Sequence, residues 1–329
     1  MRVLAGDIGG TKTRLALFEA TRSSLSPVAE ETYASADFAS LDDIVAEFMA
    51  LPHGGVGRAA FGIAGPVEGR RAHTTNLPWE VDAERLEQRF GLLHARLLND
   101  LEATAWGVGE LADDGLLTIH PGNPGQRGNR AVIAAGTGLG EAGLFFNGTR
   151  HVPFATEGGH ATFAPQTELE WELQQFLGDR YGHVSWERVL SGPGLVNIYE
   201  FLIHHRALTI PGWLAEAMHS GDAAAAIHRA ADDGRSDACV EAVRMFVGFY
   251  GAEAGDLALK HLAIGGVYLG GGIAPKMLDP LKGTEFLDTY LAKGRMRPLV
   301  ESMPVHIITD DRAALLGAGR AAAEPGGSL

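Results

Sequence analysis

Short apolar runs alternate along the chain with longer segments in which apolar residues recur at helical spacing. The short runs predict buried strands at 2–6, 14–18, 58–64, 94–98, 264–269 and 305–308, and a pair of strands within 131–146. The helical spacing predicts helices at 40–50, 82–90, 101–110, 167–179, 195–205 and 312–323, and a long one over 237–262. We interpret the long helix as a core element, because its apolar positions follow a helical repeat.

A glycine turn separates the first two predicted strands, which indicates a β-hairpin. Gly9 and Gly10 carry no Cβ, so their backbone can approach a bound group closely, and Thr11 and Lys12 add a hydroxyl and a cation. Asp7 stands beside a turn whose N–H groups suit an anion, an arrangement that makes sense if Mg²⁺ lies between acid and phosphate. The alternative is an ordinary hairpin turn with a surface acid and a surface lysine.

Two more glycine turns repeat this pattern. The sequence AVIAAGTGLGEAGLFF at 131–146 is again strand, glycine turn and strand, and 266–275 is a strand followed by three glycines. The repetition predicts an internally repeated architecture with a phosphate loop on each side of a cleft. The nucleotide-binding candidates in these turns are Gly136, Thr137, Gly138, Gly271 and Gly272. Neither a Walker loop nor a dinucleotide fingerprint is present.

Asn99 and Asp100 follow the strand at 94–98 directly and precede a helix. In open α/β sheets ligands bind at the carboxyl ends of strands, so these two residues are candidates for a binding site. Both residue types are also favoured as helix N-caps, which is the structural alternative.

Two later motifs carry further polar candidates. In Glu157-Gly158-Gly159-His160 the two glycines let the acid and the imidazole face one ligand, and the alternative is a polar turn. Glu187 follows Ser185, which is a candidate cap for a short helix. In that case Glu187 is merely an acid in a first helical turn.

The overall composition excludes several classes of protein. A net charge of −14 argues against nucleic acid or an anionic membrane as the main partner. The single cysteine, Cys239, excludes an internal disulfide framework and a cysteine-rich zinc site, and it fits a reducing cytoplasm. No apolar run reaches the roughly 18 residues of a membrane helix, and a strand rather than a signal peptide is expected at the start.

Three segments are expected to lack regular structure. Residues 111–130 are rich in glycine and proline and predict a loop that crosses between two domains. Residues 72–79 predict a polar loop with an aromatic residue, and 324–329 a frayed end.

Taken together, the motifs resemble the bacterial glucokinases of the hexokinase-like type, within the actin, sugar-kinase and Hsp70 superfamily. The resemblance covers nearly the whole chain. It is carried by GDIGGTKTR at 6–14, LLNDLEATAWG at 97–107, AGTGLG at 135–140, EGGHATFAP at 157–165, GHVSWERVLSGPGLVN at 182–197 and GGVYLGGGIAP at 265–275. The fourth and fifth of these blocks are long and specific, whereas the first is shared by many sugar kinases.

The resemblance implies a fold and a domain organisation. The expected fold is the two-domain α/β fold of actin-like ATPases (ribonuclease H-like), with a cleft between a small α/β domain and a larger α+β domain. The small domain is expected to comprise 1–110 plus 305–323, and the larger one 111–304.

The resemblance also implies an activity, the phosphorylation of glucose to glucose 6-phosphate with ATP and Mg²⁺. Asn99 and Asp100 are then sugar ligands, with Asp100 as the general base, and Glu157, His160 and Glu187 hold sugar hydroxyls. The magnesium ion is expected to be held mainly by ATP phosphates, with Asp7 as a candidate contact. A cytoplasmic homodimer that binds neither nucleic acid nor membrane is expected.

The chain departs from its expected relatives at two adjacent positions in the first loop. Lys12 is followed by Thr13 where close relatives often carry Asn-Ala, which leaves the role of Lys12 open. The cysteine-rich zinc motif of the wider repressor and kinase family is absent, so zinc is not expected.

Four other interpretations are compatible with parts of the sequence. The protein could be a kinase for fructose, mannose or an N-acetylhexosamine, or it could take its phosphoryl group from polyphosphate. From other functional classes, a sugar-sensing repressor needs a DNA-binding segment for which no room is expected before Asp7. An ATP-switched structural protein would not need the sugar-binding constellation.

Overall fold

A computed structural model of the chain describes residues 1–51, 55–74 and 77–324. The predicted polar loop at 72–79 lies partly outside these ranges, at Thr75 and Asn76, and of the predicted frayed end only Glu324 is described. No helix within the described ranges is long and apolar enough to cross a membrane.

The strands are β1 (Arg2–Ile8), β2 (Lys12–Ala20), β3 (Leu25–Ala34), β4 (Arg58–Ile63), β5 (Val67–Glu68), β6 (Arg71–His73), β7 (Glu80–Asp82), β8 (His94–Asn99), β9 (Leu116–His120), β10 (Arg130–Ala135), β11 (Leu139–Phe146), β12 (His151–Thr156), β13 (Val267–Gly270) and β14 (Val305–Ile308). The helices are α1 (Leu41–Ala50), α2 (Ala83–Phe90), α3 (Asp100–Gly107), α4 (Glu168–Tyr181), α5 (Gly192–His205), α6 (Gly212–Ser220), α7 (Ala223–Asp232), α8 (Asp237–His261), α9 (Leu278–Lys282), α10 (Thr284–Leu291), α11 (Arg297–Glu301) and α12 (Ala313–Ala323).

The chain forms two compact units. The first comprises Met1–Leu116, Val152–Ala155 and the chain from Thr309 onward, and the second comprises Leu117–His151 and Thr156–Ile308.

The first unit is built on a five-stranded sheet of order β3-β2-β1-β4-β8. β1 runs parallel to β4 and β4 parallel to β8, with Asp7 opposite Gly62 and Ile63 opposite Asn99. The carboxyl ends of these three strands therefore lie at one edge of the sheet, where ligands of α/β proteins usually bind.

Helices α3 and α12 of the first unit pack against each other through small residues. A Cβ at Gly317 would overlap the carbonyl of Ala103, and a Cβ at Gly107 would overlap that of Ala313. The two helices therefore approach backbone to backbone, which explains the glycine- and alanine-rich sequence of α12. This packing fixes the start of α3, and with it Asn99 and Asp100.

The second unit is built on the strands β11, β10, β13, β14 and β9, which are hydrogen-bonded to one another in that order. β10 runs parallel to β13 and β13 parallel to β14. The long helix α8 supplies much of the core beside this sheet, including Phe246 and Tyr250, as its apolar spacing predicts.

The structure corrects the predicted extent of two segments. Residues 111–130 are not loop throughout, because β9 takes a place at the edge of the second sheet, where Thr118 Oγ1 lies 2.9 Å from His306 Nδ1 of β14. β14, assigned above to the small domain, pairs with β13 in that same sheet and belongs to the second unit.

Ser40 occupies the N-cap position of α1, where its hydroxyl donates to Asp43 Oδ2 at 2.7 Å and makes no cap hydrogen bond to the backbone. One predicted helix cap is corrected. Ser185 makes no side-chain cap for the 3₁₀ turn Trp186–Arg188 and pairs instead through its backbone with Thr162.

Candidate active site

The first glycine turn is a hairpin between β1 and β2, as the sequence predicts. The Gly9 N–H donates to the Lys12 carbonyl at 2.9 Å, and Thr11 and Lys12 are exposed at the tip. Ser35, which follows β3, donates from its hydroxyl to the Gly9 carbonyl at 2.9 Å and lies 3.0 Å from the buried hydroxyl of Thr13. Ser35 therefore fixes the hairpin from outside.

Sequence reasoning missed Ser35. Its role depends on contacts with residues more than 20 positions away, and the preceding strand is largely polar, with a proline that gives it the character of an edge strand. The local sequence around Ser35 therefore carries no pattern that would identify this role.

Asp7 lies half-buried at the end of β1. Desolvation by burial raises the pKa of its carboxyl to about 6, the positive charge of Arg14 opposes this, and the negative charges of Asp100 and Asp311 add to it. Arg14 forms a bidentate pair with Asp311, at 2.9 and 3.3 Å. The site thus gathers three acids and one arginine in the first unit.

Asn99 and Asp100 have distinct structural roles at the start of α3. Asn99 is the N-cap, since its Oδ1 accepts from the N–H groups of Leu101 at 2.9 Å and Glu102 at 3.0 Å. Asp100 Oδ1 accepts from the Leu101 N–H at 2.9 Å. The residue is exposed, yet desolvation by the surrounding protein raises the pKa of the Asp100 carboxyl, with the Leu101 N–H opposing. The structural alternative, a helix N-cap, is therefore confirmed for Asn99. Asp100 beside it is a carboxylate with a raised pKa.

The second and third glycine turns lie side by side in the second unit. Gly136 donates its N–H to the Gly138 carbonyl at 2.8 Å, which closes the hairpin between β10 and β11. Gly271 adopts a φ of +80° and packs on the Ala135 carbonyl so closely that a Cβ would overlap it. Both turns therefore follow the carboxyl ends of the parallel strands β10 and β13, next to each other. Gly272 has open space at its Cβ position.

The motif at 157–160 forms a short 3₁₀ turn with both candidate side chains pointing outward. The Glu157 side chain is 91% exposed and that of His160 is 61% exposed, with 3.9 Å between Oε2 and Nε2. The backbone N–H of Trp186 donates to the Ala161 carbonyl at 2.9 Å, which joins this turn to the segment that carries Glu187.

Glu187 contacts the second glycine turn directly. Its Oε2 accepts from the Leu139 N–H at 3.1 Å, and a Cβ at Gly138 would come within 2.5 Å of the same oxygen. Glu187 is therefore more than an acid in a first helical turn, because its carboxylate is held against a candidate phosphate loop. Sequence reasoning had assigned this glutamate and this loop to different ligands.

The candidate residues thus form one group in each unit. In the first unit the hairpin, Asp7 and the Asn99-Asp100 pair belong to one sheet. In the second unit Glu187 lies between the 157–160 turn and the loop at 136–138, which adjoins 271–272. Among the described residues, no three or more His, Cys, Asp or Glu side chains are arranged to hold a metal ion by themselves. A magnesium ion at these acids would need ligands from phosphate and water.

The chain is similar to known glucokinases over almost its entire length. A family model named Glucokinase matches residues 4–325. A glucokinase from Nostoc punctiforme is 42% identical over 336 residues, covering 98% of each chain. The crystal structure of a glucokinase from an Antarctic psychrotroph superimposes with a TM-score of 0.89 at 32% identity, covering 98% of each chain.

A more distant structure shares the fold. A ROK family glucokinase from Streptomyces griseus, solved in complex with glucose and AMPPNP, gives a TM-score of 0.61 at 23% identity, over 98% of this chain and 99% of its own. These likenesses confirm the predicted α/β, actin-like ATPase fold. Because the family match includes both glycine hairpins, the Asn99-Asp100 pair and the motifs that carry Glu157 and Glu187, the chain belongs to the glucokinase family.

Proposed function

We propose that this protein transfers the γ-phosphoryl group of ATP to the 6-hydroxyl of glucose, with Asp100 as the general base. Membership of the glucokinase family supports the reaction. The observation that supports the role of Asp100 is its place at the carboxyl end of β8, with a pKa raised by desolvation. A base is most effective when its pKa lies near the working pH, so the raised pKa suits a carboxylate that accepts a hydroxyl proton.

Asp100 accepts the proton of the attacking hydroxyl as the new bond to phosphorus forms in line with the departing ADP oxygen. Asn99 orients this base, because as N-cap it fixes the first turn of α3. The Leu101 N–H holds one carboxylate oxygen of Asp100, Oδ1, at 2.9 Å and thereby restricts the rotation of the group.

Glu157, His160 and Glu187 hold sugar hydroxyls in this proposal. Carboxylates accept hydrogen bonds from hydroxyls, and imidazole either donates or accepts. Glu187 is oriented by the Leu139 N–H, while Glu157 and His160 stand exposed on their turn and are accessible to a ligand. Three groups of this kind on neighbouring segments suit a polyol.

The glycine turns supply the nucleotide contacts of the proposal. Gly9, Gly10, Thr11 and Lys12 contact phosphates at the first turn, Gly136, Thr137 and Gly138 do so at the second, and Gly271 and Gly272 face the adenosine. A bound Mg²⁺ supplies positive charge that neutralises the phosphates. The ionised carboxylate of Asp7 would hold this ion directly or through water, and the exposed Lys12 contributes a further cation.

The proposal is tested by measuring ADP release from purified protein with a panel of hexoses, with and without Mg²⁺. The expected result is release with glucose that depends on Mg²⁺. Release with fructose, mannose or an N-acetylhexosamine but not with glucose would replace the sugar and keep the kinase class. Substitution of polyphosphate for ATP in the same assay identifies the phosphoryl donor.

Two further features belong to the proposal and have separate tests. A homodimer is expected, and multi-angle light scattering would contradict it by returning the mass of one chain. A cytoplasmic location agrees with the single, buried Cys239, and fractionation of the source cells tests it.

A further inference from the structure

Two buried carboxyl groups lie together in the second unit, and neither has a role in the proposed reaction. Glu141 on β11 is 1% exposed, and Glu253 on α8 is fully buried. Lys260, also on α8, donates from Nζ to Glu253 Oε1 at 2.8 Å. The nearby Asp256 pairs with Lys293 at 2.6 Å. The cluster therefore brings two carboxyls against one ammonium group.

A single proton completes the hydrogen bonding of this cluster. Glu141 Oε1 and Glu253 Oε2 are buried and have no donor to accept from, and two ionised carboxylates cannot hydrogen-bond to each other. Burial, followed by the charge of Glu253, raises the pKa of Glu141 to about 8, although Lys260 opposes the shift. Burial also raises the pKa of Glu253, but there the hydrogen bond and charge of Lys260 act in the opposite direction. The proton therefore resides on Glu141, which donates it to the Glu253 carboxylate.

Glu141 is also in direct contact with the turn at 157–160. Its Oε2 packs against Gly158 so closely that a Cβ at that position would overlap it. Its backbone carbonyl accepts from the Thr156 hydroxyl at 2.9 Å, and that hydroxyl accepts from the Gly158 N–H at 3.2 Å. The Gly159 backbone packs on the Leu139 carbonyl, two residues before Glu141. The turn is thus laid on β11, with the Glu141 carboxyl beneath it.

We propose that Glu141, held neutral by its hydrogen bond to Glu253, is a positioning residue that fixes the 157–160 turn for glucose binding, a role that rests on the proposed function of Glu157 and His160. The protonated carboxyl fills the space under Gly158 without an unpaired charge. Loss of its proton would place two anions side by side in a buried site and drive Glu141 away from Glu253. The expected consequence is weaker glucose binding, with little change in the chemical step.

The pH dependence of glucose binding follows from the charges around Glu141. The charged groups that face the Glu141 carboxyl are Glu253, Lys260 and Asp256, all on α8. The side chains of Glu157 and His160 on the turn point outward. The pKa of Lys260 is raised by Glu253 above its ordinary value, so Lys260 stays charged through this range. Glucose KM should therefore rise as the pH passes about 8 and Glu141 ionises.

The free energy of unfolding should change with pH in the same direction as the affinity for glucose. The protonated form of Glu141 is favoured in the folded state, so its contribution to the free energy of unfolding is complete below about pH 4.5. That contribution is lost as the pH rises through about 8.

The test compares Glu141→Gln with Glu141→Leu in the full-length protein. The glutamine amide donates to Glu253 in place of the proton and does not titrate, so glucose KM should stay within about twofold of the parent at neutral pH and lose its rise above about pH 8. The leucine leaves Glu253 Oε2 without a donor, while Lys260 still donates to Oε1, so glucose KM should increase about tenfold, with kcat changed much less.

Glu157→Gln, measured alongside, separates the two levels of the proposal. If it raises glucose KM while Glu141→Leu and Glu141→Gln keep the parent's KM and pH profile, the positioning role is overturned and the proposed function stands. If the parent does not phosphorylate glucose, the proposed function fails and the positioning role with it. If the parent does so and Glu157→Gln changes nothing, Glu157 is not a sugar ligand, and the positioning role fails while the proposed reaction stands. Should the leucine variant not fold, the pH profile of the glutamine variant alone decides.

Discussion

The two glycine hairpins share one backbone plan and differ in their acids. In each, an apolar strand ends, a glycine turn follows, and a second strand returns antiparallel. Asp7 stands two residues before the first glycine of the first hairpin, whereas Ala134 stands at the equivalent position of the second. The first hairpin carries its own carboxylate, and the second receives one from a distant segment, through Glu187.

The difference in acids matches a difference in what each hairpin is suited to bind. Asp7 is half-buried beside Asp100 and Arg14, in surroundings that raise its pKa, and in the proposed function it lies opposite the phosphates of ATP. Glu187 accepts an N–H of its hairpin and stands outside the strand, where it is available to a sugar hydroxyl. In the proposed function, the repeated backbone therefore serves two ligands, because the two carboxylates come from different parts of the chain.

Substitution of Asp100 should have the largest effect on the reaction. Asp100→Asn keeps the size of the side chain and its hydrogen bond from the Leu101 N–H but cannot accept a proton. Turnover should fall by about 10²–10⁴, a barrier increase of about 3–5 kcal/mol, while glucose affinity changes far less. The measurements are kcat, glucose binding by calorimetry and the melting temperature, which should stay near that of the parent. Turnover within a few-fold of the parent would remove Asp100 from the mechanism.

A pair of glycine variants sharpens the comparison at the second hairpin. A Cβ at Gly138 would overlap the Glu187 carboxylate, so Gly138→Val should displace Glu187 and lower kcat/KM for glucose by about 10². A Cβ at Gly136 meets no atom within 4 Å, so Gly136→Val should keep the fold and glucose KM and raise only the KM for ATP.

Steady-state kinetics for both substrates, with circular dichroism as the control for folding, distinguish the two glycine variants. A parent-like KM for ATP in Gly136→Val would mean that the second hairpin does not contact the nucleotide. Equal effects of the two variants on glucose would mean that Glu187 is not a sugar ligand.

The pH profile tests the first hairpin. Because the pKa of Asp7 is raised to about 6, kcat/KM for ATP should fall as the pH is lowered through about 6 and Asp7 loses its charge. Asp7→Asn should have low activity without this acidic limb. If kcat/KM of the variant still falls with the same midpoint, the titration belongs to a group other than Asp7.

The ionised carboxylate of Asp7 should also lower the stability of the folded protein at neutral pH. Its folded-state pKa is raised, so its stabilising contribution is present below about pH 4 and is lost as the pH rises through about 6. At neutral pH, Asp7→Asn should therefore be more stable than the parent, by about 1–3 kcal/mol. Denaturant unfolding of both proteins at neutral and acidic pH measures this difference, which should shrink at acidic pH.

The smallest effect is expected at the support of the first hairpin. Ser35→Ala removes hydrogen bonds to the Gly9 carbonyl and the Thr13 hydroxyl, which should lower the free energy of unfolding by about 1–3 kcal/mol and raise the KM for ATP slightly. Ser26→Ala, on an exposed position of the preceding strand, is the matched control and should change stability by less than about 0.5 kcal/mol. Equal stabilities of the two variants would show that Ser35 does not hold the hairpin.

The parts of the fold that the sequence predicted are those with local patterns. The two hairpins follow from apolar runs on both sides of a glycine turn, and the helix α8 follows from its apolar repeat. Asn99 and Asp100 could be located because they stand directly between a strand and a helix.

The features that the sequence did not predict depend on contacts between distant residues. β9 is a short edge strand whose partner, β14, lies almost 190 residues later, so no hairpin pattern marks it. The contact of Glu187 with Leu139 and the pairing of Glu141 with Glu253 join residues of separate motifs. The sequence shows that Glu141 and Glu253 lie within apolar segments, but it does not show which residue pairs with each of them.

The fate of the phosphoryl group tests the central claim most directly. Purified protein is incubated with ATP, Mg²⁺ and glucose, and the products are followed by ³¹P nuclear magnetic resonance. The account predicts that ADP and a phosphate monoester on the 6-oxygen of glucose appear in equal amounts, and that without glucose ATP is consumed far more slowly. Formation of ADP and inorganic phosphate at a rate independent of glucose would contradict it, because the protein would then hydrolyse ATP without transferring its phosphoryl group to a sugar.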